Sequence, residues 1–102
     1  SRSRRRLPTL SDVAQAVLEV FPVREEELKG SSRRQGVCRA RQVGMLLARE
    51  LTGDSLSDIG RFFGGRTHST VKHSVDQAAK LLANDPQIAQ AVERCRAQLQ
   101  GL

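Results

Sequence analysis

The residues best suited to chemistry follow a pair of glycines at positions 64 and 65. They are compact or charged donors and acceptors, namely Arg66, Thr67, His68, Ser69 and Thr70. Such side chains at the start of a helix fit the base edges of the DNA major groove. The positive end of a helix dipole also favours phosphate at this position. In a purely structural alternative, Thr67 or Ser69 caps the helix and the glycines turn the chain.

The sequence lacks the residue spacings that a metal site or a catalytic site needs. His68 and His73 are five residues apart, so they do not form the i, i+4 pair of a metal site on one helix. Cys38 and Cys95 are remote from them in sequence, and no CxxC motif is present. We find neither GxxxxGK[ST] nor GxSxG, and no nucleophile with its base. The sequence therefore predicts no metal site, no catalytic residue and no enzyme.

The residues around this stretch predict a helix-turn-helix over residues 55–82. Ser55 is suited to cap the first helix, with Asp58 three residues on. That helix has one buried face, made of Leu56, Ile59, Gly60 and Phe63. The second helix has an apolar stripe of Val71, Val75, Ala78, Ala79 and Leu82, and an outer face of Ser69, Lys72, His73, Asp76 and Lys80. His68 lies near the edge of the stripe, so both packing and base contact are open to it.

Further helices are predicted on both sides of this unit. The first spans residues 10–21, capped by Thr9 or Ser11, and its apolar face is Val13, Val17, Val20 and Phe21. A short helix follows within residues 23–29, then a long one over residues 37–51 with Ala40, Val43, Leu47, Ala48 and Leu51 in the core. Asp85 and Pro86 begin a last helix with Ile88, Val92, Cys95 and Leu99 buried. No strand pattern occurs, so we expect an all-α bundle of five to six helices.

Composition indicates a single basic domain. Seventeen Lys and Arg residues against eleven acidic ones give a formal charge of +6 in 102 residues, which points to an anionic partner. Aromatic residues are only 3% of the chain, too few to stack unpaired bases. The two cysteines predict reduced thiols, and no apolar run is long enough to cross a membrane. Residues 1–7 are predicted to form a basic linker or disordered arm, and residues 8–102 the domain.

A second basic stretch precedes the long helix. Residues 31–41 contain no acidic residue and four arginines, which are Arg33, Arg34, Arg39 and Arg41. A solvated loop is the simple interpretation, but contact with a phosphate backbone or a minor groove would relieve the repulsion among these charges.

Three segments together resemble the C-terminal DNA-binding domain of the bacterial replication initiator DnaA. They are ARQVGMLLARELT at residues 40–52, SLSDIG at residues 55–60, and FGGRTHSTV at residues 63–71 followed by His73. The signature GGRTHSTVKHS corresponds to GRDHTTVxHA in that family. The resemblance covers residues 7–99 and implies recognition of double-stranded DnaA boxes, similar to TTATCCACA, in a replication origin.

The resemblance also implies roles for individual residues. Base contacts fall on Arg66, Thr67, His68, Ser69 and Thr70 in the major groove and on Arg33 in the minor groove, with Arg34 as its rival. Backbone contacts fall on Arg34, Arg41, Gln42, Thr52, Ser55, Ser57, Lys72 and His73. Thr67 replaces the usual Asp, and Ser69 the usual Thr, which makes the box preference uncertain at the base that Thr67 faces.

The resemblance further implies a monomeric domain without cofactor, in a cytoplasmic protein associated with the nucleoid. ATP is expected only in the family's ATPase module, which these residues lack. Alternatives are a DnaA-like module of another protein with altered box preference, binding of acidic phospholipids through the N-terminal linker, and docking of a protein on the last helix. The first helix carries Asp12 and Glu19 and no basic residue, which disfavours an anionic membrane surface.

Overall fold

A computed structural model describes residues 6–102, which form six α-helices and no strand. The helices are α1 (Leu10–Val20), α2 (Glu25–Leu28), α3 (Gln35–Leu51), α4 (Leu56–Phe62), α5 (His68–Asn84) and α6 (Pro86–Gln100). The predicted all-α class and helix count are thus confirmed for this part of the chain. The predicted arm lies mostly outside the described residues; of its members, Arg6 pairs with Asp12 and Leu7 is exposed.

Short-range capping fixes where the helices begin, as the sequence predicts. The Thr9 hydroxyl accepts from the amide of Asp12, whose carboxylate accepts from the Thr9 amide in return. Ser55 accepts from the Asp58 amide at the start of α4. At α6, Asp85 caps the helix and Pro86 occupies its first turn, where a missing amide hydrogen has no consequence.

Helix α3 is the centre of the domain, and α1, α2, α4 and α5 all pack against it. Helix α6 closes the far side by packing on α1 and α5. The predicted core residues Val13, Val17, Val43, Leu47 and Val92 are fully buried. Because α3 is covered from several directions, Met45 and Leu46 are buried as well, outside the single face that periodicity predicts.

Some sequence-based boundaries and faces differ from the structure. Helix α3 begins at Gln35, two residues before the predicted start, and α1 ends at Val20, one residue before its predicted end. Ala79, placed in the apolar stripe of α5, is exposed, while Val75 and Leu82 are half-buried. Val75 and Leu82 still pack against the core, together with Leu81.

Both cysteines are free thiols, as predicted. The Cys95 thiol is fully buried and donates a hydrogen bond to the carbonyl oxygen of Ala16 at 3.7 Å. Burial raises the pKa of Cys95 to about 11. This thiol therefore serves as a small core residue that joins α6 to α1.

Candidate nucleic-acid interface

The turn between α4 and α5 is built on two left-handed glycines. Gly64 has φ 95° and Gly65 has φ 81°, a region that side chains with a Cβ rarely adopt. The amides of Gly65 and Arg66 both donate to the carbonyl oxygen of Gly60, at 3.0 and 2.9 Å, and so satisfy the end of α4. The chain leaves this turn directly into the first residues of α5.

Thr67 is the N-cap residue of α5. Its hydroxyl accepts from the Thr70 amide at 3.3 Å and lies 3.1 Å from the Thr70 hydroxyl. The capping role that the sequence left open for Thr67 or Ser69 thus belongs to Thr67. Its side chain remains exposed, so capping does not remove it from the surface.

The first two turns of α5 present a continuous polar surface. His68, Ser69, Thr70, Lys72 and His73 are all exposed. This answers the question that periodicity left open for His68, because the ring is not packed into the core. Lys72 makes one long contact with Asp76, at 3.8 Å, between two exposed side chains. Such a pair is weak in water, which leaves the ammonium group available to another anion.

Arg33 and Arg34, the rival minor-groove residues, have different surroundings. Arg34 donates to the Glu27 carboxylate at 2.6 Å. The Arg24 amide and this guanidinium lower the pKa of Glu27, which stays ionised. Arg33 is exposed and has no ion-pair partner among the described residues. The geometry therefore favours Arg33 for a groove contact, while the contact itself stays a prediction.

Arg41 is largely buried, unlike an arginine that is free to contact phosphate. The residue is 7% exposed, and its guanidinium donates to three backbone carbonyl oxygens. These are Leu28 at 3.1 Å, Ser32 at 3.3 Å and Glu27 at 2.8 Å. Its phosphate contact stays a prediction, and the structure gives Arg41 a role in holding the end of α2 and the loop that follows it.

Arg66 is also directed at backbone carbonyl groups. It is half-buried, and its guanidinium donates to Gly30 at 2.6 Å and to Phe63. Burial lowers the pKa of Arg66, and the nearby charge of Arg41 acts in the same direction. The base contact of Arg66 stays a prediction. Two arginines predicted to face DNA are thus brought together around one loop.

The remaining predicted backbone contacts lie at or near the start of α4, except for Gln42 on α3. The Thr52 hydroxyl donates to the Ala48 carbonyl oxygen at 2.8 Å and accepts from the Asp54 amide. Ser55 and Ser57 are exposed at the start of α4, and Gln42 is half-buried on α3. Since α4 has seven residues, Ser55 at its start lies about 10 Å from the glycine turn. Within the helix-turn-helix, the predicted backbone contacts therefore form two groups, one at the start of α4 and one on α5.

Sequence reasoning missed the acceptors in residues 27–32, because they are backbone carbonyls and any residue type supplies them. It also missed Lys29, whose ammonium group lies 4.3 Å from the centre of the Phe62 ring. The sequence feature that could have drawn attention to Lys29 is its position as a basic residue immediately before Gly30. Within the described residues, no group of three or more His, Cys, Asp or Glu side chains could hold a metal ion.

No helix among the described residues is long and apolar enough to cross a membrane. Comparison with known proteins identifies a family and many similar proteins, of which one is described here. Residues 10–78 match the family described as "Bacterial dnaA protein helix-turn-helix". The chain is also similar to the chromosomal replication initiator protein DnaA of Caulobacter sp. (strain K31), with 40% identity over 93 residues. That alignment covers 91% of this chain and 19% of the Caulobacter protein.

Proposed function

Because the chain belongs to the helix-turn-helix family of the bacterial DnaA protein, we propose that it binds double-stranded DNA at DnaA-box-like sites of a replication origin. The observation that carries the proposal is the exposed polar start of α5, where His68, Ser69 and Thr70 stand beyond a helix cap. This is the part of a recognition helix that meets base edges in the major groove.

A minor-groove contact by Arg33 completes the proposed docking. Arg33 is exposed in the loop before α3, whereas its rival Arg34 is paired with Glu27. Narrow A·T-rich minor grooves concentrate negative potential and attract an unpaired guanidinium. We assign Arg33 to the A·T-rich half of the box for this reason.

Backbone contacts would then set the register without reading sequence. Lys72 and His73 lie on the exposed side of α5, while Ser55 and Ser57 lie beside free amides at the start of α4. These two groups are suited to phosphates on either side of the groove that α5 enters. Arg41 is better suited to holding the loop than to contacting phosphate.

The box preference at one base is expected to be broader than is usual in the family. Thr67 stands where the family has Asp, and its hydroxyl both donates and accepts, whereas a carboxylate only accepts. A carboxylate selects the amino group of cytosine more strongly than a hydroxyl does. The altered preference is therefore assigned to the base facing Thr67.

The wider role that we propose is the initiation or regulation of chromosomal replication. The chain spans about a fifth of the Caulobacter relative, 19% of its length. The ATPase module that the resemblance attributes to full-length initiators has no counterpart in these 102 residues. This chain by itself is thus a DNA-binding module, and any opening of origin DNA would need other parts.

A binding comparison tests the proposal. Labelled duplex containing TTATCCACA is compared with a scrambled duplex and with anionic phospholipid vesicles, at about 0.15 M salt. We expect the box to be preferred over the scrambled duplex by about 10³-fold. Equal affinities for the two duplexes would leave a non-specific basic domain, and tighter binding to vesicles would favour a membrane role.

A further inference from the structure

Two arginines from different parts of the chain hold residues 27–32, which comprise the end of α2 and the start of the loop that leads to Arg33. Arg66, just after the glycine turn, donates to the Gly30 carbonyl oxygen at 2.6 Å. Arg41 of α3 donates to the carbonyl oxygens of Glu27 and Leu28, at 2.8 and 3.1 Å, and to that of Ser32 at 3.3 Å. This segment is therefore bonded both to α3 and to the turn of the helix-turn-helix.

The contact between this loop and the glycine turn is close at the level of the backbone. A Cβ on Gly64 would collide with the Lys29 carbonyl oxygen. Beside it, the Lys29 ammonium group lies 4.3 Å from the Phe62 ring centre. The segment from Lys29 to Gly30 thus rests on the end of α4, immediately before α5 begins.

This arrangement restricts where Arg33 can reach. Ser32, whose carbonyl oxygen is bonded to Arg41, directly precedes it, and Gly30 lies three residues before it. Three residues span about 10 Å at full extension. The exposed guanidinium of Arg33 is therefore held at a limited distance from the start of α5.

We propose that Arg66 is a positioning residue, which sets the minor-groove arginine Arg33 relative to α5 in the major groove. This inference rests on the proposed function and deepens it, since it makes the two groove contacts interdependent. An arginine is suited to the task because its planar fork spans the carbonyl groups of Gly30 and Phe63 at once. A lysine retains the charge but not this geometry.

A double-mutant cycle measures the dependence. Affinities for box duplex are measured for R33A, R66K and the double variant, with R94K as a matched control on exposed α6. We expect R33A to weaken binding about tenfold alone or with R94K. With R66K it should weaken binding by no more than about threefold, because Arg33 is already misplaced.

Amide hydrogen exchange in the free protein provides a readout that does not depend on DNA. We expect R66K to speed exchange at Lys29 and Gly30, whose amides donate to the carbonyl oxygens of Glu25 and Glu27, while its exchange in α3 and its thermal midpoint equal those of R94K. Unchanged exchange at these two amides would overturn the positioning role. Because R66K keeps the positive charge, faster exchange would report the loss of the guanidinium hydrogen bonds to Gly30 and Phe63.

The two proposals fail in different ways. If the wild-type protein prefers the box but R33A and R66K act additively, the positioning role is overturned and the proposed function stands. If the wild-type protein binds box and scrambled duplex equally, the proposed function is overturned and the positioning role with it.

Discussion

At the start of α5, two adjacent residues have different tasks. The Thr67 hydroxyl accepts from the Thr70 amide and closes the helix end, while the His68 ring is exposed and makes no hydrogen bond to a described residue. Base contact by His68 therefore does not disturb folding, whereas Thr67 combines a capping role with its position at the groove. Substitutions at the two sites should separate binding from stability.

Replacing His68 by Ala should weaken binding to the box by about 1–3 kcal/mol, the value of one good base contact. The thermal midpoint should change little, because the ring is exposed. Parallel measurement of box affinity and thermal unfolding checks both statements. Unfolding of the variant, with normal binding by the folded fraction, would mean that the ring is part of the core after all.

Replacing Thr67 by Asp should keep the cap, because Asp is as good an N-cap residue as Thr. The added negative charge should lower affinity for scrambled duplex, while discrimination at the facing base becomes sharper. A set of box duplexes with single base changes, titrated with both proteins, measures the two effects. T67A serves as the control, and should lose about 1 kcal/mol of stability without gaining discrimination.

At the scale of the element, helix starts were predictable because they depend on residues close in sequence. Thr9, Ser55 and Asp85 each cap the helix that the sequence assigns to them. The faces of α3 were less predictable. Periodicity identifies one apolar face, but the burial of Met45 and Leu46 depends on which helices cover α3.

The candidate site shows the same limit. The residue types alone pointed to the start of α5, because the candidate contact groups there are the side chains themselves. It could not reveal that Arg41 and Arg66 bind carbonyl oxygens of a loop contributed by another part of the chain. Charge in a sequence indicates an anionic partner, but only the fold shows how much of each guanidinium is already satisfied within the protein.

The glycine turn should be sensitive at one of its two residues. In G64A, the backbone would be held at a strained φ and the new methyl group would collide with the Lys29 carbonyl oxygen. In G65A, φ is also strained, but no atom lies within 4 Å of the new methyl group. We expect G65A to cost about 1–2 kcal/mol for the backbone strain alone. G64A should cost clearly more. Urea unfolding of the two variants gives the comparison, and equal losses would contradict this packing of loop against turn.

Arg41 should matter for stability as well as for binding. R41A removes three hydrogen bonds from a residue that is 7% exposed, and we expect a loss of about 1.5–3 kcal/mol of folding free energy. R39A, at a half-buried neighbour in α3, is the control. If R41A folds as stably as R39A but lowers the salt dependence of DNA binding, Arg41 is a phosphate contact as the resemblance implies.

At the scale of the molecule, acidic and basic side chains are unevenly placed. The charged residues of α1 are both acidic, Asp12 and Glu19, whereas the loop before α3 carries Arg33 and Arg34. With a formal charge of +6, attraction to any polyanion is expected, and it should fall steeply with salt. Charge therefore explains encounter with DNA, and specificity has to come from α5 and Arg33.

The central claim is that α5 reads base edges in the major groove, and 7-deazapurines test it most directly. They remove the N7 acceptors of adenine and guanine from the major groove while leaving the minor groove unchanged. Each purine of the box, on either strand, is replaced in turn, and affinities are measured for the wild-type protein and H68A.

We predict that at least one replacement outside the A·T-rich half weakens wild-type binding by about 1–3 kcal/mol and weakens binding of H68A less. The contrary result is a wild-type protein that prefers the box but is indifferent to every 7-deaza replacement. Recognition would then come from the minor groove or from DNA shape, and α5 would not be the reading element.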